Sequence, residues 1–228
     1  MCGIVGLFAK KENISANLGV HLSKMLESMS DRGPDSAGLA IYGKPLASKT
    51  KITVQSRSPK PDFQKLKKFL SAIKGISYSF KIHSTHAVIK LDVKKKDQVT
   101  NLVKDNFPNL RILSVGKKME IYKEIGKPAE VVERFEIAKM KGSHGIGHTR
   151  MATESAVTTL GAHPFSTGED QCLVHNGSLS NHNSLRRELM RKDMSFETEN
   201  DSEVAASFIT YRMNNGKTLK EALECALV

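Results

Sequence analysis

The chain opens on a continuous apolar run. Residues 2–9 contain Ile4, Val5, Leu7 and Phe8 with no charged side chain, as in a strand buried on both faces. The spacing then changes. Leu18, His21, Leu22, Met25, Leu26 and Met29 recur three and four positions apart, which predicts a helix over 17–30. Ser30-Asp31-Arg32-Gly33-Pro34-Asp35-Ser36 breaks that pattern as a polar turn, and a short strand follows at 39–42. The middle of the chain reads as strand (51–55), helix (61–73), strand (76–82), strand (87–93), helix (96–107) and strand (110–115), with a further strand at 119–122. That β-α-β-β-α-β order predicts a small ferredoxin-like insertion. A helix is expected over 128–140, with Pro128 in its first turn and Gly142 beyond its end. Another begins at Leu219.

Charge divides the chain in the same way. The formal net charge is +11, yet residues 44–142 alone sum to +14 and the remainder to −3. The basic excess therefore belongs to the middle segment. It reads as a solvated lysine surface or as a docking face for an acidic partner. Lys94-Lys95-Lys96 has no interleaved aromatics, so nucleic-acid binding is not expected. No apolar run approaches the roughly 18 residues that span a membrane. There is no basic leader before a long apolar stretch, and the odd set Cys2, Cys172 and Cys225 makes no Cys-x-x-Cys pair. A cytoplasmic protein in a reducing compartment is expected. Cys172 reads as core and Cys225 as helix packing. His83 and His86 are expected at the surface. His144 and His148 are four apart, but in a strand-like stretch, so no metal site is expected.

Cys2 carries the candidate chemistry. Loss of Met1 would leave one residue with a thiol and a free α-amine, whose reference pKa of about 7.7–8.0 lets it take up the thiol proton near neutrality. Arg150 and Asp201 are the pair needed to hold an amino acid, since a guanidinium fork takes the α-carboxylate and a carboxylate takes the ammonium. Asn176-Gly177, after an apolar strand, reads either as a hairpin turn or as an oxyanion hole made of a side-chain and a backbone N–H. Together these parts suggest hydrolysis of the side-chain amide of a free amino acid, with glutamine the obvious candidate.

The ordered set Cys2-Gly3-Ile4, Arg32-Gly33-Pro34-Asp35-Ser36-Ala37-Gly38, His148-Thr149-Arg150, His163-Pro164, His175-Asn176-Gly177 and Asn200-Asp201-Ser202-Glu203 resembles the class II glutamine amidotransferases, which are N-terminal-nucleophile hydrolases. The resemblance covers residues 1–44 and 142–228. It implies an α+β fold, a four-layer αββα sandwich, with residues 45–141 as an inserted basic α/β lobe. It implies that Cys2 attacks the amide carbon and that Asn176 and Gly177 hold the oxyanion. It places Arg150, Asp201, Thr153 and His175 on the substrate, Arg32 and Asp35 in the loop that shapes or closes the site, and His163 in the pocket wall.

Met151 and Glu154 depart from the Trp and His of glucosamine-6-phosphate synthase. They are more similar to the stand-alone amidotransferase subunits of glutamate synthase-like and N-methylglutamate synthase-like complexes, as are residues 119–126 and 178–183. That likeness implies a separate synthase partner that uses the ammonia and carries a flavin. No cofactor is expected in this chain, which has no Gly-rich dinucleotide loop. The family domain ordinarily continues past the helix begun at Leu219, so either a fragment or strands supplied by a partner are expected. Two other readings stand beside this one: a non-catalytic glutamine-sensing or scaffold subunit, and the glutaminase half of a sugar-phosphate-aminating synthase.

Overall fold

The computed structural model describes residues 2–152 and 156–226. In chain order the elements are β1 (Gly3–Phe8), α1 (Glu12–Ala16), α2 (Leu18–Glu27), β2 (Ser36–Tyr42), β3 (Lys49–Ser56), α3 (Pro59–Ala72), β4 (Tyr78–His83), β5 (His86–Asp92), α4 (Lys96–Asn106), β6 (Leu110–Gly116), β7 (Met119–Ile125), α5 (Pro128–Arg134), β8 (His144–Arg150), β9 (Phe165–Gly168), β10 (Gln171–Leu173), α6 (His182–Met190), α7 (Asp201–Asn214) and α8 (Leu219–Glu224).

Four layers stack around the site. The first sheet runs β1-β8-β2-β7, all antiparallel, and β9 pairs with β10 in a second. Side-chain alternation along β2 explains the stacking. Leu39 and Ile41 join Leu18, Leu22 and Leu26 of α2 and Val131 of α5 in one core. Ala40 and Tyr42 point the other way, into a core with Met119, Ile121 and the half-buried Cys172. Every residue of β2 is buried, as a strand covered on both faces must be. Helices α6 and α7 form the outermost layer, with α7 lying against β9 and β10.

The lobe has its own core. Its sheet is ordered β4-β5-β3-β6, antiparallel throughout, which is ferredoxin-like pairing. Phe63, Leu66 and Leu70 of α3 and Val99 and Val103 of α4 cover one face, over Ile52, Val54, Ile89 and Leu91. The opposite face buries Lys51, Thr53 and Gln55 toward β7. There Lys51 pairs with Glu120 at 2.8 Å. Strand β7 and helix α5, which follow the lobe in sequence, belong to the first sheet and its helical layer.

Three local expectations change. Strand β1 is covered on one face only, since Ile4 and Phe8 are 43% and 66% exposed while Gly3 and Val5 are buried. The helix expected over 128–140 ends at Arg134, because Glu136 adopts φ 53° and the chain continues as a single 3-10 turn, Ile137–Lys139. His86 is fully buried, in contact with Phe135 at 4.6 Å between ring centroids. Burial pushes its pKa down to about 3. It sits in the seam between lobe and sheet, which strand periodicity cannot reveal.

Candidate functional site

Cys2 stands one residue before β1. The register pairs Gly3 with Thr149, which brings the end of β8, Arg150 and beyond, alongside Cys2. The Cys2 Sγ lies 3.8 Å from the carbonyl oxygen of Met151. A side chain at position 3 would meet Thr149 Oγ1 at 2.8 Å and Met29 Cβ at 2.9 Å. Thr149 Oγ1 donates to the Met29 carbonyl at 3.2 Å, so the helix-to-turn junction packs directly beneath the cysteine.

The polar turn fastens the other side of β8. A Cβ on Gly33 would come within 2.6 Å of three backbone atoms of Thr149 and Arg150, so only glycine permits this approach. Asp35 donates its backbone N–H to the Arg150 carbonyl at 3.0 Å. Its carboxylate accepts from the Ala152 N–H at 2.8 Å. Asp35 therefore fixes the path of the chain as it leaves β8. Arg32 is exposed, on the single turn Ser30–Arg32. Thr153 lies outside the described residues.

Arg150 is 6% exposed, and its guanidinium donates to the Ala156 carbonyl at 3.3 Å. A Cβ on Gly161 would lie 3.2 Å from the same Nη1, so the segment before β9 presses close to the guanidinium. His163 follows, joined by a cis bond to Pro164. Its ring lies on that of His148, with centroids 4.1 Å apart. Burial drives His163 down to about 2, with His148 and Lys123 adding repulsion. His148 is lowered to about 4, again by burial first. Both rings are therefore neutral at pH 7. His148 then donates from Nε2 to the His175 carbonyl at 3.1 Å, which ties the histidine pair to the residue before Asn176.

Asn176 and Gly177 are exposed. The Asn176 amide donates to the Cys2 carbonyl at 3.1 Å, so residues 174 apart in sequence are joined. A Cβ at 177 would meet His175 Nε2 at 2.9 Å. His175 Nδ1 lies 3.1 Å from Ser202 Oγ and 4.0 Å from Asp201 Oδ2. Asp201 also accepts the Leu179 N–H at 2.8 Å. It occupies the first turn of α7, where the positive helix end favours a carboxylate, and Asn200 caps that helix by accepting from the Ser202 N–H at 2.9 Å. Cys2, Asn176, His175 and Asp201 thus form one chain of contacts, and the backbone of Arg150 adjoins its Cys2 end through the β1–β8 pairing.

Two residues of the surroundings had no role assigned from the sequence, although Glu203 belongs to the Asn200-Asp201-Ser202-Glu203 motif. Glu203, 7% exposed, accepts from the N–H groups of Glu197 and Thr198, each at 2.8 Å, and orders the approach to α7. Lys123, on β7, is buried and donates to three carbonyls of residues 160–164. Among the described residues no group of three His, Cys, Asp or Glu is placed to hold a metal ion, and no helix is long and apolar enough to cross a membrane.

The family description of a glutamine amidotransferase domain matches residues 136–224. Over 227 residues the chain is 56% identical to the glutamine amidotransferase-like protein GlxB of Rhizobium meliloti (strain 1021), covering all of this chain and 75% of that protein. The chain belongs to the class II glutamine amidotransferases. A putative glutamine amidotransferase of Methanothermobacter thermautotrophicus is 31% identical over 234 residues, which are 98% of this chain and 76% of that one. Among solved structures, glutamine phosphoribosylpyrophosphate amidotransferase from B. subtilis superposes with a TM-score of 0.51 at 19% identity. That match covers the whole of this chain and 32% of the B. subtilis chain, and it shares the N-terminal-nucleophile hydrolase fold. Within this amidotransferase, the matched segment holds Arg150, His163, Asn176 and Asp201, whereas Cys2, Asp35 and Lys123 come from outside it.

Proposed function

We propose that the chain hydrolyses L-glutamine to glutamate and ammonia through a Cys2 thioester. The observation that carries this reading is the Asn176 amide bonded to the Cys2 carbonyl, which sets an oxyanion-type donor beside the only thiol near Arg150 among the described residues. Once Met1 is removed, the terminal amine takes the Cys2 proton and the sulfur attacks the side-chain carbonyl carbon. The oxygen gains the electron pair and is met by the Asn176 N–H and the Gly177 backbone N–H. As the C–N bond breaks, the amine returns the proton and ammonia leaves. Water then cleaves the thioester, releasing glutamate and restoring the thiol. Arg150 would hold the α-carboxylate and Asp201 the α-ammonium, with Thr153 and His175 lining the same site. His163 is neutral and serves as wall rather than base.

The ammonia would pass to a separate glutamate synthase-like subunit, with any flavin residing there. Met151 and Glu154 argue against a sugar-phosphate-aminating synthase, and residues 119–126 and 178–183 are compatible with the glutamate synthase-like partner. Steady-state release of glutamate and ammonia from glutamine tests the activity. Turnover in the wild type that disappears in Cys2→Ala supports it, and turnover surviving that change contradicts it.

A further inference from the structure

Lys123 is the most deeply buried lysine or arginine near the site, and the hydrolysis proposed above does not employ it. It projects from the middle of β7, the edge strand of the first sheet, into the space between the two sheets. Its ammonium donates to the carbonyls of Leu160 at 2.9 Å, Ala162 at 2.7 Å and Pro164 at 3.2 Å. All three protons are therefore used on one five-residue segment, and the Phe165 ring lies 4.6 Å from the charge. The next strand residue, Glu124, accepts a hydrogen bond from Thr159. The segment is thus wrapped over the strand edge and fastened from both faces.

That segment touches the site at two points. Gly161, between two of the bonded carbonyls, presses against the Arg150 guanidinium. His163, between the other two, lies on His148, which holds the His175 carbonyl. We infer that Lys123 is a positioning residue: its three hydrogen bonds set residues 160–164 so that Arg150 is held where it can grip the carboxylate of the substrate. The inference rests on the glutamine-hydrolase reading.

Keeping an ammonium here is costly. Burial pushes its pKa down to about 7, against the opposing pull of Glu203 and Glu197 and a weaker pull of Cys172. A lysine kept at that cost is unnecessary for packing, since a methionine would fill the same volume without an amine to desolvate.

The test compares glutamine kinetics of the wild type with Lys123→Met, Lys123→Gln and, as a matched control, Leu66→Ala in the lobe core. Arg150 holds a group that does not react, so losing its alignment removes binding shared by ground and transition states. Lys123→Met is expected to raise KM for glutamine on the order of 10–100-fold, with kcat much less affected. Lys123→Gln, which retains an amide donor, should fall between it and the wild type. Leu66→Ala should lose thermal stability and leave KM unchanged. An unchanged KM in either folded Lys123 variant overturns the inference, as does failure of both to fold or an equal KM rise in Leu66→Ala. A wild type without any turnover overturns the glutamine reading itself, and this inference with it.

Discussion

The lobe and the site are built from opposite materials. In the lobe, Phe63, Leu66, Leu70, Val99 and Val103 bury an apolar face, and each is 1% exposed or less. Around the site the buried residues include the polar and charged Arg150, His148, His163, Lys123, Ser202 and Glu203. The lobe is held by non-directional burial, which tolerates exchange of one aliphatic side chain for another of similar volume. The site is held by directional bonds between side chains and distant backbone groups, where loss of one partner strands the other. Stability and activity should therefore be separable by region.

The largest effect expected is at the nucleophile. Cys2→Ala should lower glutamine turnover on the order of 10⁴-fold or more while leaving the melting temperature near the wild-type value, read by ammonia release and calorimetry. A comparable loss of folding would erase the contrast between the regions. Asn176→Ala should lower kcat on the order of 10²–10³-fold, because it removes an oxyanion donor while position 176 is exposed and adds little to packing. A large change in KM alone would instead mean that Asn176 binds the ground state.

On the lobe side, Leu66→Ala should cost about 2–5 kcal/mol in denaturant unfolding, the usual range for a buried leucine, with kcat unaltered. If it removes activity at modest stability loss, the lobe is not an independent core.

The smallest effect sharpens the comparison through pH. His163, His148 and His86 stay neutral in the fold, with pKa values lowered to about 2, 4 and 3, while the unfolded chain protonates them near 6.5. Between pH 6.5 and 4 the unfolded state binds more protons than the folded one, so stability rises with pH across that window. The contribution is fully present above 6.5 and is lost as pH falls through these lowered values. In His163→Phe the slope of unfolding free energy against pH should fall by about one proton in that window. An unchanged slope would mean that His163 is already charged in the fold.

The same contrast explains what could be read in advance. The ferredoxin-like lobe was legible because Phe63, Leu66 and Leu70 repeat at helical spacing and its strands alternate, so periodicity reports its core directly. Strand β7 was visible as a pattern, but its membership in the first sheet was not. Pairing of Met119 with Tyr42 and Ile125 with Ser36 is a long-range register that local sequence does not encode. In the site, the cysteine start, Arg150, Asn176-Gly177 and Asp201 could be picked out by the chemistry they would need. Lys123 could not, since one lysine among 20 in the basic middle segment looks like every other until its three carbonyl partners are known. His86 was hidden for the same reason, because its burial comes from Tyr122 and Phe135 across the seam rather than from neighbours in its strand.

The most direct test of the central claim is intact-mass spectrometry of the purified protein after exposure to an electrophilic glutamine analogue. One adduct per chain, mapped to Cys2 on protein that has lost Met1 and prevented by excess glutamine, is the result this account predicts. An adduct on Cys172 or Cys225, or none on protein with Cys2 at its terminus, would contradict it.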